Sequence, residues 1–152
     1  DAFDFHLNTE GPNRSVLGMV GTGNLEGKMV LSKRALYLGF ENNTDKKNTA
    51  IHEFVHLVDK MDGKIDGIPK VLMEEVNIIP WMELVALKMS EINEDESDMN
   101  PYGATSDVEF FTVSSEYFFE RPRLLKRKHP ALYLMLEEIY DQKMSDHGLK
   151  EK

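Results

Sequence analysis

Two short apolar runs, Val16 to Val20 and Lys28 to Ser32, are separated by Gly21-Thr22-Gly23-Asn24 and closed off by Gly27, which predicts two short strands joined by a loop. Beyond them the period changes. Ser32 is placed to cap a short helix over Lys33 to Phe40, and Asn42-Asn43-Thr44-Asp45 breaks the chain. Ala50, Ile51, Phe54, Val55, Leu57, Val58 and Met61 make the segment from about Asn48 to Asp62 apolar nearly all round, the mark of a buried helix, with Gly63 to stop it. After a loop with Gly63, Gly67 and Pro69, a helix opened by Pro80 carries Trp81, Leu84, Val85, Lys88 and Ile92 at helical spacing. The acidic stretch Glu91 to Asp98 is expected to end it as a solvated loop. A helix from about Ser106 to Phe119 follows, and Pro122 and Pro130 punctuate two last helical pieces. The layout is α+β: helix-dominated, with a small sheet near the start packed on the following helices.

Composition narrows this. A chain of 152 residues with 41% hydrophobic content can bury one core, so a single domain over residues 1–152 is expected, with 1–14 as a loosely ordered polar lead-in. The first residue is Asp1, not Met, which suggests that upstream sequence has been removed. A formal charge of -9 and a pI near 5.0 argue against nucleic-acid or anionic-membrane surfaces. The one basic run, Arg121 to Lys128, is interrupted by Pro122, Leu124 and Leu125 and reads as a solvated helix face. No apolar run is long enough to span a membrane. With no cysteine, any bound metal must be held by nitrogen and oxygen.

Chemistry enters at His52-Glu53-Phe54-Val55-His56, the HExxH arrangement. A helix turns about 100° per residue, so two imidazoles four apart converge on one side and can share a cation. Glu53 lies beside them, placed to take a proton from a bound water. With 5 His and 16 Glu in the chain, chance gives roughly 0.02 such matches.

A catalytic site needs a third protein ligand. Asp62 is a weak candidate, because Asp59 stands where a tight turn toward the metal needs glycine. His6, His129 and His147 lie in a polar lead-in, beside Pro130 and in a polar tail, and read as solvated surface residues. Glu109 stands out in the first turn of an apolar helix, but Ser106-x-x-Glu109 is also a capping box, and spacing leaves ligand and cap evenly matched.

His52-Glu53-Phe54-Val55-His56-Leu57-Val58-Asp59, then Asn100-Pro101-Tyr102-Gly103-Ala104-Thr105-Ser106-Asp107-Val108-Glu109-Phe110-Phe111, then Ser115-Glu116-Tyr117-Phe118-Phe119, resemble the Mlc titration factor A family of bacterial zinc peptidases. The resemblance runs from about Met29 to Tyr140, and the N-terminal region of typical members has no counterpart in it. It implies a zincin-like, gluzincin-type domain similar to the anthrax lethal factor catalytic domain. It further implies one zinc ion per chain on His52, His56 and Glu109, with Glu53 as catalytic base and Tyr102 as the active-site tyrosine. Aminopeptidase-like activity on a peptide or protein substrate, capture of a transcription repressor, and a cytoplasmic location follow from the same likeness.

Two further carboxylates are candidates to support the ligands. Asp59, three residues after His56, can accept a bond from a ligand imidazole or equally be a surface carboxylate near the helix end, and Glu116, two turns beyond Glu109, can support a ligand or serve as a salt-bridge partner at the core edge. Tyr117, Phe118 and Phe119 read as core, and Lys28 to Ser32 as an edge strand able to pair with an extended peptide. A regulatory binding module that keeps the metal site, and a zinc hydrolase of non-peptide amides, are the rival readings.

Overall fold

The computed structural model describes residues 18–21, 23–41 and 46–146. The lead-in over 1–14, the break at 42–45, His6 and His147 lie outside the described residues. Strands β1 (Gly18–Val20) and β2 (Met29–Leu31) pair antiparallel in the register Gly18↔Leu31, Met19↔Val30 and Val20↔Met29. Helix α1 (Lys33–Glu41) starts beneath Ser32, whose Oγ accepts the Ala35 amide at 3.1 Å. Helix α2 (Thr49–Asp59) is capped by Asn48, whose Oδ1 accepts the amides of Ala50 and Ile51 at 3.1 and 3.2 Å. It tightens into a 3-10 turn over Lys60–Asp62 and stops at Gly63, where φ is 90°, a backbone state that favours glycine. The β1–β2 ribbon lies against α2.

Helix α3 (Glu75–Asn93) corrects the expected start at Pro80: it begins five residues earlier, with Pro80 inside it. A proline at that position removes the backbone bond to the carbonyl of Val76, a residue 71% exposed. The buried face of α3 carries Trp81, Val85 and Ile92. Gly67 ties the preceding loop down: its amide donates to Asp59 Oδ2 at 2.9 Å and its carbonyl accepts from Trp81 Nε1 at 2.8 Å. A Cβ at Gly67 would lie 2.5 Å from the Asp107 carbonyl oxygen, at a φ of +75°.

Helix α4 (Asp107–Glu120) is the centre of the fold. Every residue from Glu109 to Phe118 is buried, and the helix is packed by α2, α3, α5 (Pro122–Lys128) and α6 (Pro130–Tyr140). Its buried hydroxyls cost little, because Thr112, Ser114 and Ser115 donate to carbonyls one turn back at 2.9, 3.0 and 2.7 Å. Phe110, Phe111 and Phe118 reach full burial beside Trp81, Leu132, Tyr133 and Leu136, each such side chain contributing roughly 1.5 to 3 kcal/mol. The described residues are mostly helical, and helices carry this core. Strand structure among them is confined to the short ribbon.

Two expectations about polar residues are overturned. His129 is not solvated: it is 5% exposed, with Nε2 2.8 Å from Asp98 Oδ1. Asp98, expected in a solvated acidic loop, also accepts from Lys46 Nζ at 2.7 Å, the Tyr117 hydroxyl at 2.8 Å and Lys128 Nζ at 3.1 Å. Burial pushes its carboxyl up, but these four donors outweigh it and hold Asp98 well below the usual carboxylate range. Among the described residues no helix is long and apolar enough to cross a membrane.

Candidate metal centre

The site forms where α2 crosses the first turns of α4. The helical repeat puts His52 and His56 side by side, ring centroids 4.8 Å apart and near perpendicular at 80°. From α4, Glu109 meets both: its Oε2 is 3.2 Å from His52 Nε2 and its Oε1 is 3.8 Å from His56 Nε2. One donor atom from each of the three residues lies within 4.8 Å of the others. The backbone and the carboxylate of Glu109 face different partners. Its amide donates to Ser106 Oγ at 3.2 Å, while its carboxylate turns away to the imidazoles and to Thr112 Oγ1 at 3.2 Å.

Behind His52 stands Glu116. Its Oε1 accepts from His52 Nδ1 at 2.7 Å, which fixes the ring and presents Nε2 to the centre. Its Oε2 accepts the Asn48 amide at 2.7 Å, so one carboxylate holds both the N-terminus of α2 and the imidazole one turn later. Asn48 is 1% exposed, and its Nδ2 also donates to the Gly39 carbonyl at 2.8 Å and to Glu120 Oε1 at 3.0 Å. Asp59, the other candidate support, engages the Gly67 amide with Oδ2. Asp62 accepts the Lys64 amide at 3.0 Å and stands outside the cluster.

Charge at the centre is tightly shared. Burial alone would lower the His52 pKa, yet its hydrogen bonds to Glu109 and Glu116 overcome burial and raise it to about 10. A cation that takes Nε2 therefore displaces a proton. Burial pushes Glu109 up, while the His52 hydrogen bond and the charges of His52 and His56 pull it down further, to a net lowering. Glu53, next to His52, is buried at 8% exposure. Tyr102 sits in a 3-10 turn over Pro101–Ala104 that Asn100 caps by accepting the Tyr102 amide at 3.1 Å. Its ring centroid is 6.1 Å from that of His52. Burial, then the charge and hydrogen bond of Glu109 and the charge of Glu53, push its hydroxyl up to about 12, so it keeps its proton.

Sequence reasoning missed Asn48 and Thr112 as parts of this centre. Asn48 enters the sequence reading only as the approximate start of the helix, and its bonds reach Glu116 and Glu120 on α4, which no local pattern reveals. Thr112 follows Glu109 by three residues, the spacing of one helical face. Two imidazoles and a carboxylate at these separations, one ring already oriented from behind, are a donor set that fits a divalent cation and leaves coordination places over.

Comparison with known proteins agrees with this chemistry. Residues 4–141 match the family described as glucose-regulated metallo-peptidase M90. An uncharacterized protein of Synechocystis is 32% identical over 119 residues, 75% of this chain and 43% of its own length. Mlc titration factor A of Pectobacterium atrosepticum is 28% identical over 142 residues, 83% of this chain and 52% of its own. Mlc titration factor A of Serratia proteamaculans is 33% identical over 101 residues, 62% of this chain and 38% of its own. The chain spans about half the length, or less, of these curated relatives. With a metal-fitting cluster at the heart of a match that runs through most of its residues, the chain belongs to the glucose-regulated metallo-peptidase family M90 and is a relative of the Mlc titration factor A proteins.

Proposed function

We propose that the chain is the catalytic domain of a zinc metallopeptidase of the gluzincin type, aminopeptidase-like, with a zincin-like fold. The observation that carries this reading is the convergence of His52 Nε2, His56 Nε2 and the Glu109 carboxylate from two helices. These three residues would hold one zinc ion, nitrogen and oxygen donors being the set that a chain without cysteine offers. When bound, the ion supplies Lewis acidity and lowers the pKa of water toward about 7.

The chain's own residues do the rest. Glu53 accepts the proton of the attacking water and returns it to the leaving amine. Tyr102, protonated up to about 12, donates a hydrogen bond to the carbonyl oxygen as charge gathers there. Glu116 and Asn48 keep His52 in place while this happens. The β2 edge, Met29–Leu31, offers backbone for pairing with an extended peptide. The location follows the family likeness and is cytoplasmic.

The test is cleavage of aminoacyl and peptide libraries by the zinc-loaded protein, with Glu53→Gln as control. Hydrolysis lost in that variant with zinc retained supports the reading. Stoichiometric zinc with no cleavage of any library member contradicts it.

A second reading draws on the name of the relatives, Mlc titration factor A: the chain captures a transcription repressor. Pull-down with wild-type and Glu53→Gln protein separates the two, since capture survives that change and turnover does not.

A further inference from the structure

Five of the chain's 18 Lys and Arg residues, Arg121, Arg123, Lys126, Arg127 and Lys128, fall within residues 121–128, which contain no acid, in a protein of formal charge -9. They do not simply face solvent. A cavity of about 450 Å³ opens at the junction of α4 and α5, lined by Arg121, Arg123 and Arg127, with Glu120 as its one acid and Leu124 and Met144 as apolar wall. None of these residues belongs to the His52, His56 and Glu109 cluster.

The local fold places the three arginines around one cavity. Leu125 is fully buried and pins α5 to the core, so Arg123 and Arg127, four apart, share a face that looks into the cavity. Like charges at that spacing repel each other, a cost that an anion seated between them turns into attraction. Arg123 Nε donates to the Ser145 carbonyl at 3.3 Å and Lys126 Nζ to Ser145 Oγ at 3.1 Å, which fixes the basic helix against the segment that carries Met144. Glu120 Oε1 accepts from Asn48 Nδ2, so the acid of the wall is engaged on the protein side.

We propose that this cavity binds a small organic dianion: a metabolite that bears a phosphate monoester or a pair of carboxylates. Guanidinium forks match both groups through paired N–H donors. The volume falls in the range of small-molecule sites, about 300 to 1,000 Å³. An extended polyanion would have to run across the acidic remainder of the surface, whereas a compact anion meets three arginines against the single carboxylate of Glu120.

The test is titration of the full chain, followed by the Nε–H resonances of Arg121, Arg123 and Arg127, with inorganic phosphate, glycerol phosphate and succinate, and with sodium chloride at matched ionic strength as control. Saturable shifts with glycerol phosphate or succinate, at least about tenfold weaker in Arg127→Gln and partly restored in Arg127→Lys, support the site. Preference for glycerol phosphate or for succinate identifies which anionic group it takes. Arg127 is exposed, and an unchanged melting temperature separates lost binding from lost fold. Shifts no different from those of chloride, binding undiminished in both Arg127→Gln and Arg123→Gln, or response to inorganic phosphate with neither organic anion, would overturn it.

Discussion

Glu116 Oε1 lies 2.7 Å from His52 Nδ1, while Glu116 Oε2 lies 2.7 Å from the amide of Asn48, the residue that caps the helix on which His52 stands. One buried carboxylate thus sets the imidazole and its helix in a single act. Glu116→Gln keeps size but can accept at only one of the two positions. Metal affinity, read by competition with a chromogenic chelator, is expected to fall about 10- to 100-fold, and urea unfolding to show a loss of about 1 to 3 kcal/mol. An unchanged affinity would remove Glu116 from the support of the centre.

Asn48 supplies the same junction from the other side. Asn48→Ala deletes the cap of α2 and the Nδ2 bonds to the Gly39 carbonyl and to Glu120, at an expected cost of about 2 to 4 kcal/mol in chemical denaturation. Asn48→Asp restores the cap but adds a carboxylate beside Glu116 and Glu120. It is expected to fail as a rescue at pH 7, and full rescue by Asp would contradict this reading.

The HExxH helix was legible because its geometry is local: four residues bring His52 back over His56, and Asn48 and Gly63 mark the ends. Glu109 was half legible, since the signal for a cap and the signal for a ligand share the same spacing and only the direction of the carboxylate divides them. His129 and Asp98 were misread because their pairing spans 31 positions and leaves no trace in either neighbourhood. Pro80 misplaced the start of α3, because a helix can run through a proline near its first turns at the loss of one backbone bond. Asp59 and Glu116 both had suitable spacing. Tertiary packing sent Asp59 to the Gly67 loop and left the imidazole to Glu116.

Asp98 gives a pH prediction. Its folded pKa is depressed, so its contribution is present above the unfolded value of about 3.9 and is lost as pH falls below it toward the folded value. Asp98→Asn is expected to lose about 2 to 4 kcal/mol at pH 7, through Lys46, Tyr117, Lys128 and His129. The gap from wild type should narrow below pH 4. A gap that is constant from pH 7 to pH 3 would contradict the ionised hub.

Tyr102→Phe removes one hydroxyl, and with it the hydrogen bond to Glu109, while His52, His56 and Glu109 themselves are unchanged. The expected result is a fall of about 10²- to 10³-fold in kcat, with zinc content unchanged. Loss of zinc with the hydroxyl would instead make Tyr102 a support of the metal.

The most direct measurement is zinc content with X-ray absorption on the full chain, wild type beside His56→Ala and Glu109→Ala. The expected result is one zinc per chain with only nitrogen and oxygen neighbours at about 2.0 to 2.2 Å, and loss of the ion in both variants. Absence of bound metal at saturating zinc, or zinc retained when the Glu109 carboxylate is gone, would contradict a centre built from His52, His56 and Glu109.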